Sequence, residues 1–67
     1  MKREIVEIEG EVRSIGPKAL WFRESEADHD ICIPLSQLEN RDAVSKGDGV
    51  IRVTRWILNK LEEEGKR

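Results

Sequence analysis

The residues of this chain that could do chemistry are few and lie close together. Asp28-His29-Asp30 sets the only histidine between two carboxylates, and the only cysteine, Cys32, follows three residues later. Two nearby carboxylates would raise an imidazole pKa, the setting of a general base or a metal ligand. A structural zinc site needs four ligands, however, and His29 with Cys32 supplies two, so no metal and no cofactor is expected. Cys32 as a nucleophile would need a base on its own strand face, and none is evident. It is read as packing, and the histidine stretch as a solvated hairpin tip. Lys46-Gly47-Asp48-Gly49 lacks the spacing and the following helix of a phosphate-binding loop and reads as a tight turn. Nucleophile, base and oxyanion donor do not assemble anywhere, and a fold this small has little room for a closed pocket. The expectation is a protein that is not an enzyme.

Charge offers two candidate binding surfaces instead. Glu7, Glu9 and Glu11 alternate along one strand face, about 6.5 to 7 Å apart, and Glu24, Glu26, Asp28 and Asp30 crowd the next loop. Such an acidic surface suits partner binding, in its sharpest form as a phosphate mimic lying in the basic groove of a nucleic-acid complex. The plainer reading is solvation that keeps an exposed sheet from aggregating, with Arg13 and Arg23 neutralising part of the stripe. The alternative surface is basic: Arg13, Arg23, Arg52 and Arg55 as phosphate contacts of a small single-stranded nucleic-acid binder. Composition does not favour it, because 12 Lys+Arg face 14 Asp+Glu for a net charge of −2 and the bases are scattered.

These residues need a scaffold, and 67 residues allow one domain, 1–67. A chain of about 60 residues buries only about 60% of its unfolded surface, so a homodimer that shares a face is one expected partner arrangement. One cysteine leaves no intrachain disulfide. There is no leader pattern and no apolar run of membrane-span length, which leads to the expectation of a soluble, cytoplasmic protein with no membrane partner.

The organising stretch is Ile31-Cys32-Ile33-Pro34-Leu35-Ser36-Gln37-Leu38-Glu39. Ile31, Ile33 and Leu35 alternate as a strand, Pro34 argues for an edge or a strand end, and Ser36 with Glu39 has capping-box spacing. Residues 2 to 4 are a polar lead-in. From Ile5 the chain reads as a long strand with Val6, Ile8, Gly10 and Val12 on one face, and Gly10 predicts a bulge, bend or close backbone approach. Lys18 to Arg23 is a second strand apolar on both sides, hence covered on both. Val44 anchors the loop after the corner, two glycines of the following turn are free to take positive φ, and Val50 to Val53 is the last strand. Residues 5–53 thus form a β meander or barrel. Residues 54–65 form a C-terminal amphipathic helix with Thr54 as N-cap, docked on the second strand or on an open barrel end. Glu62, Glu63 and Glu64 oppose its dipole, so the last turn is expected to fray. Trp21 and Trp56 either pack together where helix meets sheet or leave one exposed as an anchor; core is the expectation for at least one.

Read in order, Glu9-Gly10-Glu11-Val12, Ala19-Leu20-Trp21, Ile33-Pro34-Leu35-Ser36-Gln37-Leu38, Val44-Ser45-Lys46-Gly47-Asp48 and Val50-Ile51-Arg52-Val53 resemble an S1-type barrel of the OB superfamily over residues 6 to 53. The resemblance implies a mainly β (α+β) fold: a small bent antiparallel sheet or incomplete OB/SH3-like barrel of three to five strands plus one C-terminal helix. At the positions where S1-type domains carry their base-stacking residues this chain has Leu20 and Pro34, so RNA binding does not come with the fold. In size and ending, Lys18-Ala19-Leu20, Ile33-Pro34-Leu35-Ser36-Gln37 and Trp56-Ile57 make the chain similar to short proteins encoded by bacteriophages and prophages. That resemblance implies a viral or mobile-element origin more than a mechanism. Joined to the acidic strand face and loop, it leads to the expectation of a phage-type accessory protein that binds a host or phage protein in the host cytoplasm, in its pointed form an anti-CRISPR-like inhibitor of a host defence complex.

Overall fold

A computed structural model describes residues 3–67; Lys2, part of the expected lead-in, lies outside the described residues. Four strands, β1 (Ile5–Ile15), β2 (Ala19–Glu24), β3 (Ile31–Pro34) and β4 (Val50–Thr54), form one antiparallel sheet in the order β3-β2-β1-β4, and α1 (Arg55–Glu63) follows β4 directly. The fold is mainly β, a small open sheet of four strands with one helix.

The length of β1 explains the topology. Its first half pairs with β4, from Ile5 opposite Thr54 to Glu9 opposite Val50, and its second half pairs with β2, from Gly10 opposite Glu24 to Ile15 opposite Leu20. The expected device at Gly10 is a close approach: a Cβ there would land on the Arg23 carbonyl oxygen and the Glu24 backbone. Three residues further on, the register slips between Val12 and Ser14, a bulge that adds twist. The strand therefore bends, and the two edges of the sheet turn toward each other.

That bend is what lets a short corner span the sheet. After β3, a single 3₁₀ turn at Leu35–Gln37 carries the chain to the far edge, where Leu38 bridges Val53 and the Glu39 amide donates to the Arg52 carbonyl at 2.8 Å. The capping box expected at Ser36 and Glu39 does not form. Pro34, at φ −60° and ψ 135°, occupies the N-cap, Ser36 lies inside the turn, and no side chain caps it. A three-residue turn already closes its one backbone bond, from Leu38 N to Leu35 O at 3.1 Å. Pro34 does end β3 on a sheet edge, as its missing N–H demands.

The concave face holds the core. Phe22, Leu20, Ile33, Ile51, Val12 and Val53 are fully buried, with Val44 packed on the margin as the loop's anchor. Ile57, Leu58 and Leu61 of α1 join the same cluster, so the helix closes the open side of the sheet. Thr54 caps it as expected, accepting from the Ile57 amide at 3.3 Å, and it also donates to Gln37 Oε1 at 2.6 Å.

Two packing expectations are overturned. The second strand is covered on one side only: Leu20 and Phe22 face the core while Trp21, on the outer face, is 46% exposed. Trp56 is 59% exposed, so both tryptophans lie at the surface and neither fills the core. The reason is directional, since α1 delivers Ile57, Leu58 and Leu61 to the concave face and brings its Trp56 side outward.

The last turn of α1 ends in a defined cap. Gly65, at φ +70°, lets its amide donate to Glu62 O at 3.1 Å and the Lys66 amide to Leu61 O at 2.9 Å, a Schellman closure that satisfies the terminal carbonyls.

Candidate functional site

The acidic and basic candidates turn out to be each other's partners. Glu7 stands directly across from Arg52 in the β1–β4 ladder, and their charges meet at 3.5 Å. Glu11 holds Arg13 at 2.9 Å; Asp30 holds Arg23 at 2.8 Å and reaches Arg13 at 4.0 Å. Arg52 also nears Glu39 at 3.7 Å, and Arg55 pairs with Glu4 at 2.9 Å. Glu24 is bound by Arg67, whose guanidinium offers Nε at 2.8 Å and Nη2 at 3.1 Å. Among the described residues only Glu9 and Glu26 of the seven acidic candidates have no ion-pair partner. The outer surface is a mosaic of alternating charge, neither an acidic stripe nor a basic track. Exposed pairs of this kind each add at most about 1 kcal/mol to stability.

The histidine is not a free hairpin tip. His29 Nδ1 lies 2.9 Å from Asp28 Oδ1 and Nε2 lies 2.8 Å from the Lys66 carbonyl, beyond the end of α1. The Asp28 hydrogen bond, then the Lys66 carbonyl, raise the His29 pKa against desolvation; the same His29 bond lowers that of Asp28. The β2–β3 loop is tight: Glu26 sits at φ 72° and Ala27 N donates to Glu24 O at 3.0 Å. Cys32 is half-buried on the outer side, directly across from Trp21. Among the described residues no three His, Cys, Asp or Glu side chains converge where a metal ion could be held.

What sequence reasoning missed is a cleft. Arg3, Glu4, Gln37, Thr54, Arg55, Trp56 and Asn59 line a depression of about 340 Å³ beside the start of α1. A neighbouring one of similar size adds Ile5, Leu38 and Glu39 and shares Arg3, Gln37 and Thr54 with it. Ile5, Glu7 and Glu9 share one side of β1 by its two-residue period, so the Ile5 end of this groove adjoins the strand face that carries Glu7 and Glu9. Its polar side chains are mixed, with Glu4 paired to Arg55 at 2.9 Å and Arg3 donating to the Ser36 carbonyl at 3.1 Å. Gln37 has its carbonyl oxygen bound by Thr54, which leaves its amide N–H groups for the groove, beside Asn59 and the two guanidiniums. The signal in the sequence was Trp56 next to Arg55, an aromatic and a cation at the first turn of a helix.

No helix among the described residues is long and apolar enough to cross a membrane. No family model, no curated protein and no solved structure matches the chain.

Proposed function

We propose that the chain is a non-catalytic binding module that docks on another protein with Trp56 as its anchor. The observation that carries this reading is the exposure of Trp56 at the mouth of a groove flanked by Arg3 and Arg55, while Phe22 and aliphatic residues fill the core. Tryptophan and arginine are the residue types that dominate binding energy at protein interfaces, because a large flat ring and a rigid donor fork give much contact for little ordering cost. The groove suits a partner that presents an apolar slot for the indole and carbonyl oxygens for the remaining N–H groups of Arg3, Arg55 and Gln37 around it. Glu7 and Glu9, on the adjoining strand face, would meet basic side chains at the rim. The likeness to short phage and prophage proteins supports a finer form of the proposal, a viral accessory protein in the host cytoplasm that masks a host defence complex.

The test is affinity capture from host lysate with nuclease present, using the wild type, Trp56→Ala and a Glu7, Glu9 and Glu11 triple substitution to Lys. The expected result is a partner retained by the wild type and lost by Trp56→Ala. Retention of every partner by Trp56→Ala overturns the anchor, and retention by the triple variant reduces the acidic face to solvation.

A second reading, single-stranded nucleic-acid binding, is favoured by Trp21. The outer face of β2 carries this exposed ring two residues from Arg23 and across from Ser14, beside the bulge that holds Arg13. An exposed aromatic among arginines on a sheet can stack a base. Salt-dependent binding of an oligonucleotide, lost in Trp21→Ala, is its mark; no binding at low salt removes it.

A further inference from the structure

His29 bridges two groups that only accept hydrogen bonds. Its Nδ1 faces the Asp28 carboxylate at 2.9 Å and its Nε2 faces the Lys66 carbonyl oxygen at 2.8 Å. A neutral imidazole carries one N–H and can serve one of them; the imidazolium carries two and serves both. The geometry therefore matches the protonated ring. We propose that the segment after α1 is a proton-operated strap, fastened to the β2–β3 loop by protonated His29 and released at Lys66 when the ring loses its proton. A second fastening lies beside it: Arg67 holds Glu24 with two bonds and Glu62 with one at 3.0 Å.

The charges around the ring set the direction. Asp28, on its own loop, favours the proton; Arg23, from β2, opposes it but is engaged by Asp30 at 2.8 Å. From the segment after the helix, the Lys66 ammonium is drawn to Glu64 at 3.4 Å, and Arg67 is neutralised by Glu24 and Glu62. The favourable bonds outweigh the opposing charge, so the ring keeps its proton to a higher pH than a free histidine. Fastening restrains the Schellman closure at Gly65 and Lys66, and through Leu61 the last turn of α1 that covers the core. Opening exposes that turn while Arg67 keeps the tail nearby.

The chain has one histidine, so its ring resonances in an untagged, isotopically labelled sample report without ambiguity. The expected result is a ring midpoint above the free value of 6.5, with the amide resonances of Gly65, Lys66 and Arg67 moving through the same midpoint. In His29→Ala those amides should no longer titrate there, and in Asp28→Asn the ring midpoint should fall. A ring midpoint at or below 6.5, or tail amides that titrate identically in His29→Ala, overturns the strap. The ring is exposed, so both variants keep the fold, which circular dichroism verifies.

Discussion

Gly10 faces the Arg23 carbonyl across the β1–β2 junction at a separation that leaves no room for a Cβ. The opposing atoms are backbone in a sheet, with no flexible side-chain end to move aside. Gly10→Ala must push β1 and β2 apart at the bend that brings the sheet edges together. Forced overpacking costs about 1–3 kcal/mol where side chains can yield, and a backbone contact belongs at or above the top of that range. Net stability of a domain this size is about 3–10 kcal/mol. Urea unfolding of Gly10→Ala should therefore show a loss of about 3 kcal/mol or more; a loss under about 1 kcal/mol would mean that the bend is made elsewhere.

Thr54 joins three elements through one hydroxyl. It is 3% exposed, accepts from Ile57 N at the start of α1 and donates to Gln37 at the corner after β3. Thr54→Ala removes the cap and strands the Gln37 oxygen, a combined loss of about 2 kcal/mol. Thr54→Ser keeps both bonds and gives up only a methyl group, so its thermal midpoint should lie much nearer the wild type. Equal losses in the two variants would place the contribution in packing and remove it from the hydrogen bonds.

Glu26 takes φ 72° with a side chain that the left-handed region disfavours. The strain amounts to about 1 kcal/mol, partly offset in a glycine variant by its freer unfolded chain. Glu26→Gly should raise stability by about 0.5 kcal/mol, measured by urea unfolding, and Glu26→Ala should not. Because Glu26 is one of the two acidic candidates without an ion-pair partner, its replacement sacrifices no ion pair seen among the described residues.

How far the sequence could be read depended on how local the cause was. Gly10 interrupting an apolar face and Thr54 at a change of period each announce themselves within a few residues, and both roles hold. Trp21 misled because alternation reports that a position is apolar and says nothing of what covers it; α1 closes the concave side and leaves the outer face of β2 bare. Ser36 and Glu39 have the right spacing for a capping box, but Pro34 shapes a turn too short to use it. The partial neutralisation of the acidic stripe was legible where it is local, since Arg13 lies two residues from Glu11 and pairs with it, but the Arg52 that meets Glu7 arrives only through strand pairing. The His29–Lys66 contact joins positions 37 apart, beyond the reach of any local pattern.

The Asp28–His29 pair also makes stability depend on pH. The folded His29 pKa is raised, so its contribution is complete below the unfolded value of 6.5 and is lost as pH rises through the folded one. The folded Asp28 pKa is lowered, so its contribution is complete above the unfolded value of 3.8 and is lost as pH falls through the folded one. The pair therefore stabilises fully between pH 3.8 and 6.5. The difference in thermal midpoint between wild type and His29→Ala should be largest in that window and shrink on either side. A difference that grows above neutral pH would contradict the assignment of the proton.

Both tryptophans lie outside, which separates folding from binding in a way that mutation can read. Phe22 is fully buried, and Phe22→Ala should cost about 3–5 kcal/mol through transfer and cavity terms, enough to unfold much of the population. Trp21 and Trp56 keep roughly half their surface in water, so each change to Ala gives up only part of that burial and should cost about 1 kcal/mol or less. The two variants should unfold cooperatively near the wild-type urea midpoint while their fluorescence, contributed by two rings only, assigns each signal. With folding intact, any loss of partner capture in Trp56→Ala or of oligonucleotide binding in Trp21→Ala reports an interface. A fall in stability like that of Phe22→Ala would instead mean that the ring supports the core, and the binding reading of that tryptophan would go.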